Sequence, residues 1–291
     1  MSDLNAITDQ PTPDAVVSVN SAYVNRGWGF EGRTYLVTGG GSGIGRAISL
    51  ALAAAGAHVV VAGRTPDKLD ETVALIGKSG SGQGLAVPAD VRDPAAVDDL
   101  VAAAVERFGR IDGLVNNAAG NFVAPGIDLS PNGWRAVVDI VLNGSYYCTR
   151  AVARQLRAQG TGGSVLSVIA TYAWHGHPGT VHSAAAKAGV LAMTRTLAVE
   201  LAPYGIRLNC VAPGPTETEG AGAALWGTDE ARAGVLATVP AGRFADPAEV
   251  ADASLFLLSE RSSYLTGDCL TVDGGQWLGK QVYGRTAEAP V

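Results

Sequence analysis

The sequence predicts an α/β fold of Rossmann type: a doubly wound parallel sheet forming a single domain. Three observations predict it. Short apolar runs alternate with helix-patterned segments along nearly the whole chain, with no linker between them. Runs such as Val59-Val60-Val61 are apolar on both faces, as strands buried between two helical layers must be. The first run leads straight into Thr38-Gly39-Gly40-Gly41-Ser42-Gly43-Ile44-Gly45, a glycine loop that opens an alanine-rich helix.

Tyr35-Leu36-Val37 reads as the first strand and Gly45 to Ala55 as the helix behind it. His58 to Ala62 is a buried strand, and Pro66 at the first helical position starts a helix to about Ile76. Gly84 to Pro88 gives strand three, and Pro94 to Phe108 a helix with Ala and Val on one face. Leu114-Val115 is a short fourth strand, followed by one long helix from roughly Asn132 to Gln159. Ser164 to Ile169 is strand five, Ser183 to Leu201 the next helix and Arg207 to Val211 strand six. Pro247 to Ser259 is a helix and Cys269 to Val272 a last strand. Residues 214–243 break this rhythm with Gly, Ala and Thr, and a stretch of that length is expected to be a lid over a site.

The flanks carry no such pattern. Residues 1–30 are polar, with Asp3, Asp9 and Asp14 but no basic start or apolar centre of a secretion signal, and read as an N-terminal tail. Residues 31–280 form the binding domain. Residues 281–291 are a C-terminal tail whose last four match no organelle address.

A hydrophobic content of 47% over 291 residues sustains one full core. The chain lacks an apolar run near the ~18 residues that a membrane span needs, so no membrane partner is expected. A net charge of −6 gives no general attraction to nucleic acid, so any anionic ligand must meet a local group of arginines. Cys148, Cys210 and Cys269 are far apart without metal-ligand spacing, as expected of buried thiols in a cytoplasmic protein. His175, His177 and His182 lie close together, but no acid accompanies them and no metal site is expected.

The glycine loop carries the first chemistry. Its backbone can approach a pyrophosphate closely, and the helix behind it presents free N–H groups and a positive dipole end. Binding NAD usually calls for a carboxylate at the end of strand two, where this chain has Ala62-Gly63-Arg64. Arg64 suits a 2′-phosphate instead, with Arg46 just past the loop, so NADP(H) is the expected cofactor. Asp90-Val91, at the end of strand three, is placed to meet the adenine, and Asn117-Ala118-Ala119 to line the ribose.

From about Phe30 to Trp277 these residues resemble the short-chain dehydrogenase/reductase family. The resemblance rests on the glycine loop, Asn116-Asn117-Ala118, Lys187, Pro213-Gly214 and Asp273-Gly274-Gly275. It implies a Rossmann fold in a homotetramer or homodimer. The implied cofactor residues are Gly39, Gly41, Ser42, Gly43, Ile44, Gly45, Arg64, Asp90, Val91, Asn117, Ala118, Lys187, Pro213, Gly214 and Thr216. Three of the family's usual catalytic residues are replaced. Its tyrosine, four before the lysine, is Ser183; its serine falls on Ala170; its asparagine falls on Val141. An ordinary carbonyl reductase needs that tyrosine to protonate an alkoxide.

One branch, 2,4-dienoyl-CoA reductase, shows the same departures. Asn116 to Phe122, Leu129-Ser130-Pro131, Asp139 to Gly144, Tyr172-Ala173 and Ser183 with Ala186 to Val190 all resemble it. There the working tyrosine lies fifteen residues before the lysine, which is Tyr172, and its partner asparagine falls on Asn121. The resemblance implies acyl-CoA as substrate, with contacts at Arg92, Phe122 and Ser130; an arginine of the branch's lid appears here as Ala224.

The implied catalytic set is therefore Tyr172, Asn121, Lys187 and Ser183. Hydride arriving at the δ carbon of a dienoyl thioester drives negative charge to the thioester oxygen, where hydrogen-bond donors are needed. One such donor is worth about 3–4 kcal/mol in a transition state. Several alternatives stay open. Tyr172 could pack on Trp174, Asn121 could form a turn, and Ser183 could cap its helix. Arg92 could be a surface charge beside Asp93. His182 to Ala186 and Gly133 to Val137 also resemble trans-2-enoyl-CoA reductase. A reductase of another activated alkene or ketone, or a catalytically inactive NADP(H)-binding regulator, would keep the same frame.

Overall fold

The structure is a computed structural model that describes residues 27–79, 82–218 and 227–279. Within them lies one parallel sheet of seven strands in the order β3-β2-β1-β4-β5-β6-β7. β1 (Thr34–Thr38), β2 (His58–Gly63) and β3 (Gly84–Pro88) step outward to one edge. The chain then returns past β1 to β4 (Gly113–Asn116) and steps the other way through β5 (Gly163–Val168), β6 (Ile206–Pro213) and β7 (Cys269–Val272). This reversal between β1 and β4 leaves a crevice at the strands' C-terminal ends, where ligands of such sheets bind.

Side chains alternate between the two faces, and each face has its own core. Val37, Val59, Val61, Val115 and Leu166 pack under α1 (Gly43–Ala54) and α9 (Pro247–Leu258). Leu36, Val60, Leu114 and Val165 pack against α3 (Pro94–Phe108) and α5 (Gly144–Gln159). On the α1 face, α2 (Pro66–Ser79) packs Leu69 and Ile76 over the outer strands. Asp93 accepts from the Ala95 amide to start α3, and Gly109, in the left-handed region at φ 76°, ends it.

The long helix expected over 132–159 is not uniform. α4 (Pro131–Val138) runs into a π-helical turn at Asp139–Asn143 and only then into α5. Gly144 begins α5 where a Cβ would lie 2.6 Å from Val91, so the helix approaches the sheet at van der Waals contact. Two further helices lie where loops were expected. α6 (Tyr172–His175) follows β5, and α8 (Asp229–Ala237) lies within the 214–243 segment. α7 (Val181–Leu201) starts two residues earlier than its pattern suggested. Ala224, the lid position, lies outside the described residues, as do most of the two tails. Among the described residues no helix is long and apolar enough to cross a membrane.

Packing at the sheet centre leaves no slack. Gly113, opposite Tyr35 in the β1–β4 ladder, would put a Cβ 2.5 Å from the buried Tyr35 ring and 2.7 Å from the Ser164 carbonyl oxygen. Gly113→Ala should therefore destabilise the fold by about 1–3 kcal/mol, the usual range for overpacking, read as a lowered urea midpoint.

Candidate active site

Construction starts at the end of β1. The Thr38 hydroxyl donates to the Val115 carbonyl at 3.2 Å and accepts from the Asn117 and Ala118 amides, each at 3.0 Å. The Asn117 side-chain amide in turn donates to the Thr38 and Gly39 carbonyls at 3.0 and 3.1 Å. Gly39 turns at φ 64°, and a Cβ on Gly45 would lie 2.3 Å from its carbonyl oxygen. Glycine at both positions is thus forced by the close approach of loop and helix.

Below this loop opens a cavity of about 400 Å³. Gly39, Gly41, Ser42, Gly43 and Ile44 line it from the loop, Arg64 from the end of β2, Asp90 and Val91 from the end of β3, and Asn117 and Ala118 from the end of β4. Thr65, Lys68, Ile140 and Thr218 also line it, and sequence reasoning did not single them out. Lys68 was legible as a cation one helical turn past Arg64. Arg64 and Lys68 enter none of the ion pairs among the described residues. Two cations outside those ion pairs, in a glycine-lined cavity that a helix N-terminus also borders, fit a dinucleotide carrying an extra phosphate.

Arg46 does something else. Its guanidinium donates to the Gly41 carbonyl at 2.6 and 3.1 Å and to Thr72, and pairs with Glu71 at 2.7 Å. It braces the loop from behind rather than facing the cavity. Pro213 and Gly214 lie at the end of β6 and, with Thr216, outside the lining of the cavity. The Thr216 hydroxyl donates to the Gly214 carbonyl. Gly45 likewise stands behind the loop.

The second half of the site gathers where β5 ends. Lys187 is buried on α7 and donates to the Val168 carbonyl at 2.5 Å. That oxygen is available because β4 stops at Asn116, one residue short of pairing with Val168. Burial pushes the Lys187 ammonium down to about 8, with Cys210 acting weakly in the other direction. One turn earlier on α7 is Ser183, whose hydroxyl meets the Tyr172 hydroxyl at 3.1 Å. Burial raises the Tyr172 hydroxyl above its ordinary value, and the Ser183 hydrogen bond partly offsets this. The tyrosine therefore stays a neutral O–H donor through neutral pH.

Two of the alternative readings do not match this geometry. Ser183 is not a helix cap, because α7 begins at Val181 and the Ser183 side chain is buried against Tyr172. Nor does Tyr172 pack on Trp174: its ring lies 6.3 Å from that of His177, while Trp174 packs edge-on against Trp277.

Asn121 is half-buried, and its side-chain oxygen accepts from the Phe122 amide at 3.0 Å. Its segment crosses the start of α7, with the Phe122 ring 4.5 Å from that of His182 and the Ala124 amide donating to Gly179 at 2.9 Å. His182 is fully buried, and neither ring nitrogen makes a hydrogen bond of normal geometry. Burial lowers its basicity, opposed by the Thr180 backbone. Ser130 uses its hydroxyl to cap α4 through the Gly133 amide at 3.0 Å. Arg92 pairs with Asp90 at 2.5 Å, an interaction that holds the Asp90 carboxyl below its usual range. No His, Cys, Asp and Glu group that could hold a metal occurs among the described residues.

Comparison with known proteins gives consistent results. Residues 39–276 match the family model described as enoyl-(acyl carrier protein) reductase. A probable 2,4-dienoyl-CoA reductase of Bacillus subtilis, named as (2E)-enoyl-CoA-producing, is 49% identical over 85% of this chain and 98% of its own. A probable 2,4-dienoyl-CoA reductase of Caenorhabditis elegans, named as (3E)-enoyl-CoA-producing, is 39% identical over 91% of this chain and 86% of its own. Among solved structures, a putative 2-deoxy-d-gluconate 3-dehydrogenase from Agrobacterium tumefaciens with bound NADP is 36% identical. Its TM-score is 0.80, and the match covers 87% of this chain and 99% of that one.

The buried ammonium has a consequence for stability. Folded Lys187 gives up its proton near pH 8, whereas an unfolded lysine keeps it to about 10.5. The desolvation penalty is present in full below pH 8 and fades above it. The Lys187 contribution to stability of the ligand-free protein should then rise between pH 8 and 10.5 by up to about 3 kcal/mol, at ~1.4 kcal/mol per unit, while the Cys148, Cys210 and Cys269 thiols, which burial pushes up, act in the opposite direction over the same range. Urea denaturation of the wild type and Lys187→Met at pH 7 and 10 isolates it: the stability difference between the two proteins should shift toward the wild type at pH 10.

Proposed function

Because this chain belongs to the short-chain dehydrogenase/reductase family of oxidoreductases, we propose that it reduces the conjugated chain of a 2,4-dienoyl-CoA with NADPH. The observation that carries this reading is the 3.1 Å contact between the Tyr172 and Ser183 hydroxyls. A tyrosine from the segment after β5 reaches into the place on α7 that the family's own tyrosine leaves empty.

NADPH supplies the hydride. The glycine loop would hold its pyrophosphate, Asp90 and Val91 its adenine, Arg64 its 2′-phosphate, and Lys187 its nicotinamide ribose. Of the three ammonium donors of Lys187, Val168 takes one, which leaves others for ribose hydroxyls. At pH 7, below its lowered pKa, Lys187 is charged and makes the local potential positive.

Hydride addition at the δ carbon leaves a dienolate with its charge on the thioester oxygen. Tyr172, neutral and prevented by burial from ionising, is suited to donate to that oxygen. Ser183 orients the Tyr172 hydroxyl, and Asn121, on the segment laid across the start of α7, is the second proposed donor. This division differs from carbonyl reduction, where a tyrosine must give up its proton outright. Protonation of the dienolate at the α carbon yields a 3-enoyl product and at the γ carbon a 2-enoyl product; the relatives' names cover both outcomes. Arg92, Phe122 and Ser130 are proposed to contact the acyl-CoA, Arg92 while remaining paired with Asp90.

We place the protein in the cytoplasm, as a homotetramer or homodimer formed through α5 and α7, where Tyr146 and Val199 are exposed. The nearest competing reading, a trans-2-enoyl-CoA reductase, assigns no role to Tyr172.

Two substitutions test this function. Tyr172→Phe should lower the turnover of a 2,4-dienoyl-CoA by roughly 10²–10³, the cost of losing one oxyanion donor, with NADPH affinity unchanged. The rate is followed as NADPH absorbance loss, and an unchanged rate would remove Tyr172 from its role. Arg64→Asp should shift the kcat/KM ratio from NADPH toward NADH by about tenfold or more, as expected when a charge-assisted phosphate contact is replaced by repulsion. An unaltered ratio would refute the 2′-phosphate assignment.

A further inference from the structure

His182 is a titratable group that the proposed chemistry does not use. It stands beside Ser183 in the first turn of α7, fully buried, with neither ring nitrogen in a hydrogen bond of normal geometry. Burying an imidazole in that state is costly, and burying it as an imidazolium costs far more. Part of its cover is the segment that carries Asn121. The Phe122 ring meets the imidazole edge-to-face, with centroids 4.5 Å apart. The tip of that ring lies against α4, where a Cβ on Gly133 would come within 3.1 Å of the Phe122 Cζ. Phe122 is thus wedged between α4 and α7. Just beyond it, the Ala124 amide donates to the Gly179 carbonyl at 2.9 Å, and a Cβ on Gly179 would lie 2.9 Å from Val123. The wedge bears on Asn121 directly, because the Asn121 carboxamide oxygen accepts from the Phe122 backbone amide at 3.0 Å. That bond leaves the carboxamide NH₂ as the group Asn121 can offer to a ligand.

We infer that His182 is a positioning residue: its uncharged imidazole seats Phe122 and thereby fixes the Asn121 carboxamide as a hydrogen-bond donor. This rests on the role proposed for Asn121 above and adds the residue that holds it in place. The seat works only while the ring is neutral. Titratable groups near this end of α7 are Asp128 on the Phe122 segment, Arg135 on α4, Asp139 in the π-helical turn, Tyr172 and His175 on α6, His177 after it, and Lys187 on α7 itself. None of them acts on His182, whose basicity reflects burial, which lowers it, opposed by the Thr180 backbone. Protonation therefore favours a state in which Phe122 has lifted and water reaches the ring. Seating is accordingly complete above the ordinary histidine value of 6.5 and is lost as pH falls below it.

Amide hydrogen exchange at Ala124 reads the seat independently of turnover, because that amide is tied to Gly179 only while the segment is down. In the NADP⁺-loaded wild type its protection factor should fall up to about tenfold between pH ~7.5 and ~5.5. His182→Leu, which refills the volume with a side chain that does not titrate, should abolish that fall. His182→Ala should lower protection by about tenfold or more at both pH values. Turnover of a 2,4-dienoyl-CoA should follow: His182→Ala lowers kcat by about tenfold or more and His182→Leu recovers most of it. NADPH affinity should not change, since His182 lies outside the lining of the cofactor cavity. In an Asn121→Ala background, His182→Ala should lower kcat by less than about a further twofold. Protection at Ala124 that ignores both substitutions and pH would overturn the inference. So would a fall that persists in His182→Leu, which assigns it to His175 or His177, or kcat losses of the two alanine variants that multiply. Should His182→Ala fail to fold, the pH profiles of the wild type and His182→Leu decide the matter alone. A wild type that leaves 2,4-dienoyl-CoA unreduced while Ala124 protection behaves as expected would remove the dienoyl chemistry and leave the seat standing.

Discussion

The site depends on the join between β1 and β4. These strands are neighbours in the sheet but far apart in sequence, and their C-terminal ends must diverge to open a crevice while staying in register. Thr38 and Asn117 make this possible through hydrogen bonds that cross the gap in both directions. With the ends tied, the glycine loop has one course, and Gly39 and Gly45 approach more closely than any side chain would permit. The helix N-terminus behind them is then aimed into the cavity. A looser join would leave the backbone amides that face a pyrophosphate without fixed positions.

The far side of the site rests on opposite electrostatic demands met by two residues fifteen apart in the chain. Lys187 is a cation buried in an apolar layer, kept charged at neutral pH with the help of one strand-end carbonyl. Tyr172 is a phenol that burial keeps protonated. Under the proposed function the first would supply a positive field, and the second a hydrogen that is shared rather than released. In the proposed reaction such a pair would favour a delocalised anion on the substrate over transfer of a full proton to it. Ser183 links them sterically, standing one turn from the lysine and in contact with the tyrosine.

Much of this was legible in the sequence because it is local. The glycine loop, the seven apolar runs and the helices that start at Pro66, Pro94 and Pro247 each announce themselves within a few residues. The lining of the cavity by Arg64, Asp90, Val91 and Asn117 followed from their places at strand ends. Features that depend on long-range contacts were not legible. The role of Arg46 is set by Thr72 and Glu71 on another helix, and the burial of Ser183 by a tyrosine eleven residues away on a separate turn. Lys68 could have been found by helical spacing from Arg64, but its exposure to the cavity could not. The helix at Asp229–Ala237 lay hidden in a composition that reads as loop, although Thr228 caps it through the Ala231 amide.

The π-helical turn at Asp139–Asn143 holds one more residue than an α-helical turn would. Everything on α4 is consequently out of phase by about 100° with everything on α5, compared with an unbroken helix. That offset lets Ile140 border the cofactor cavity while Val141, its neighbour, is packed beneath α7. The turn is thus a point where evolution could gain or lose a single amino acid without disturbing either helix end, rotating one wall of the cleft relative to the other. Relatives that differ by one position here would present different side chains to the same bound molecule while keeping an identical framework.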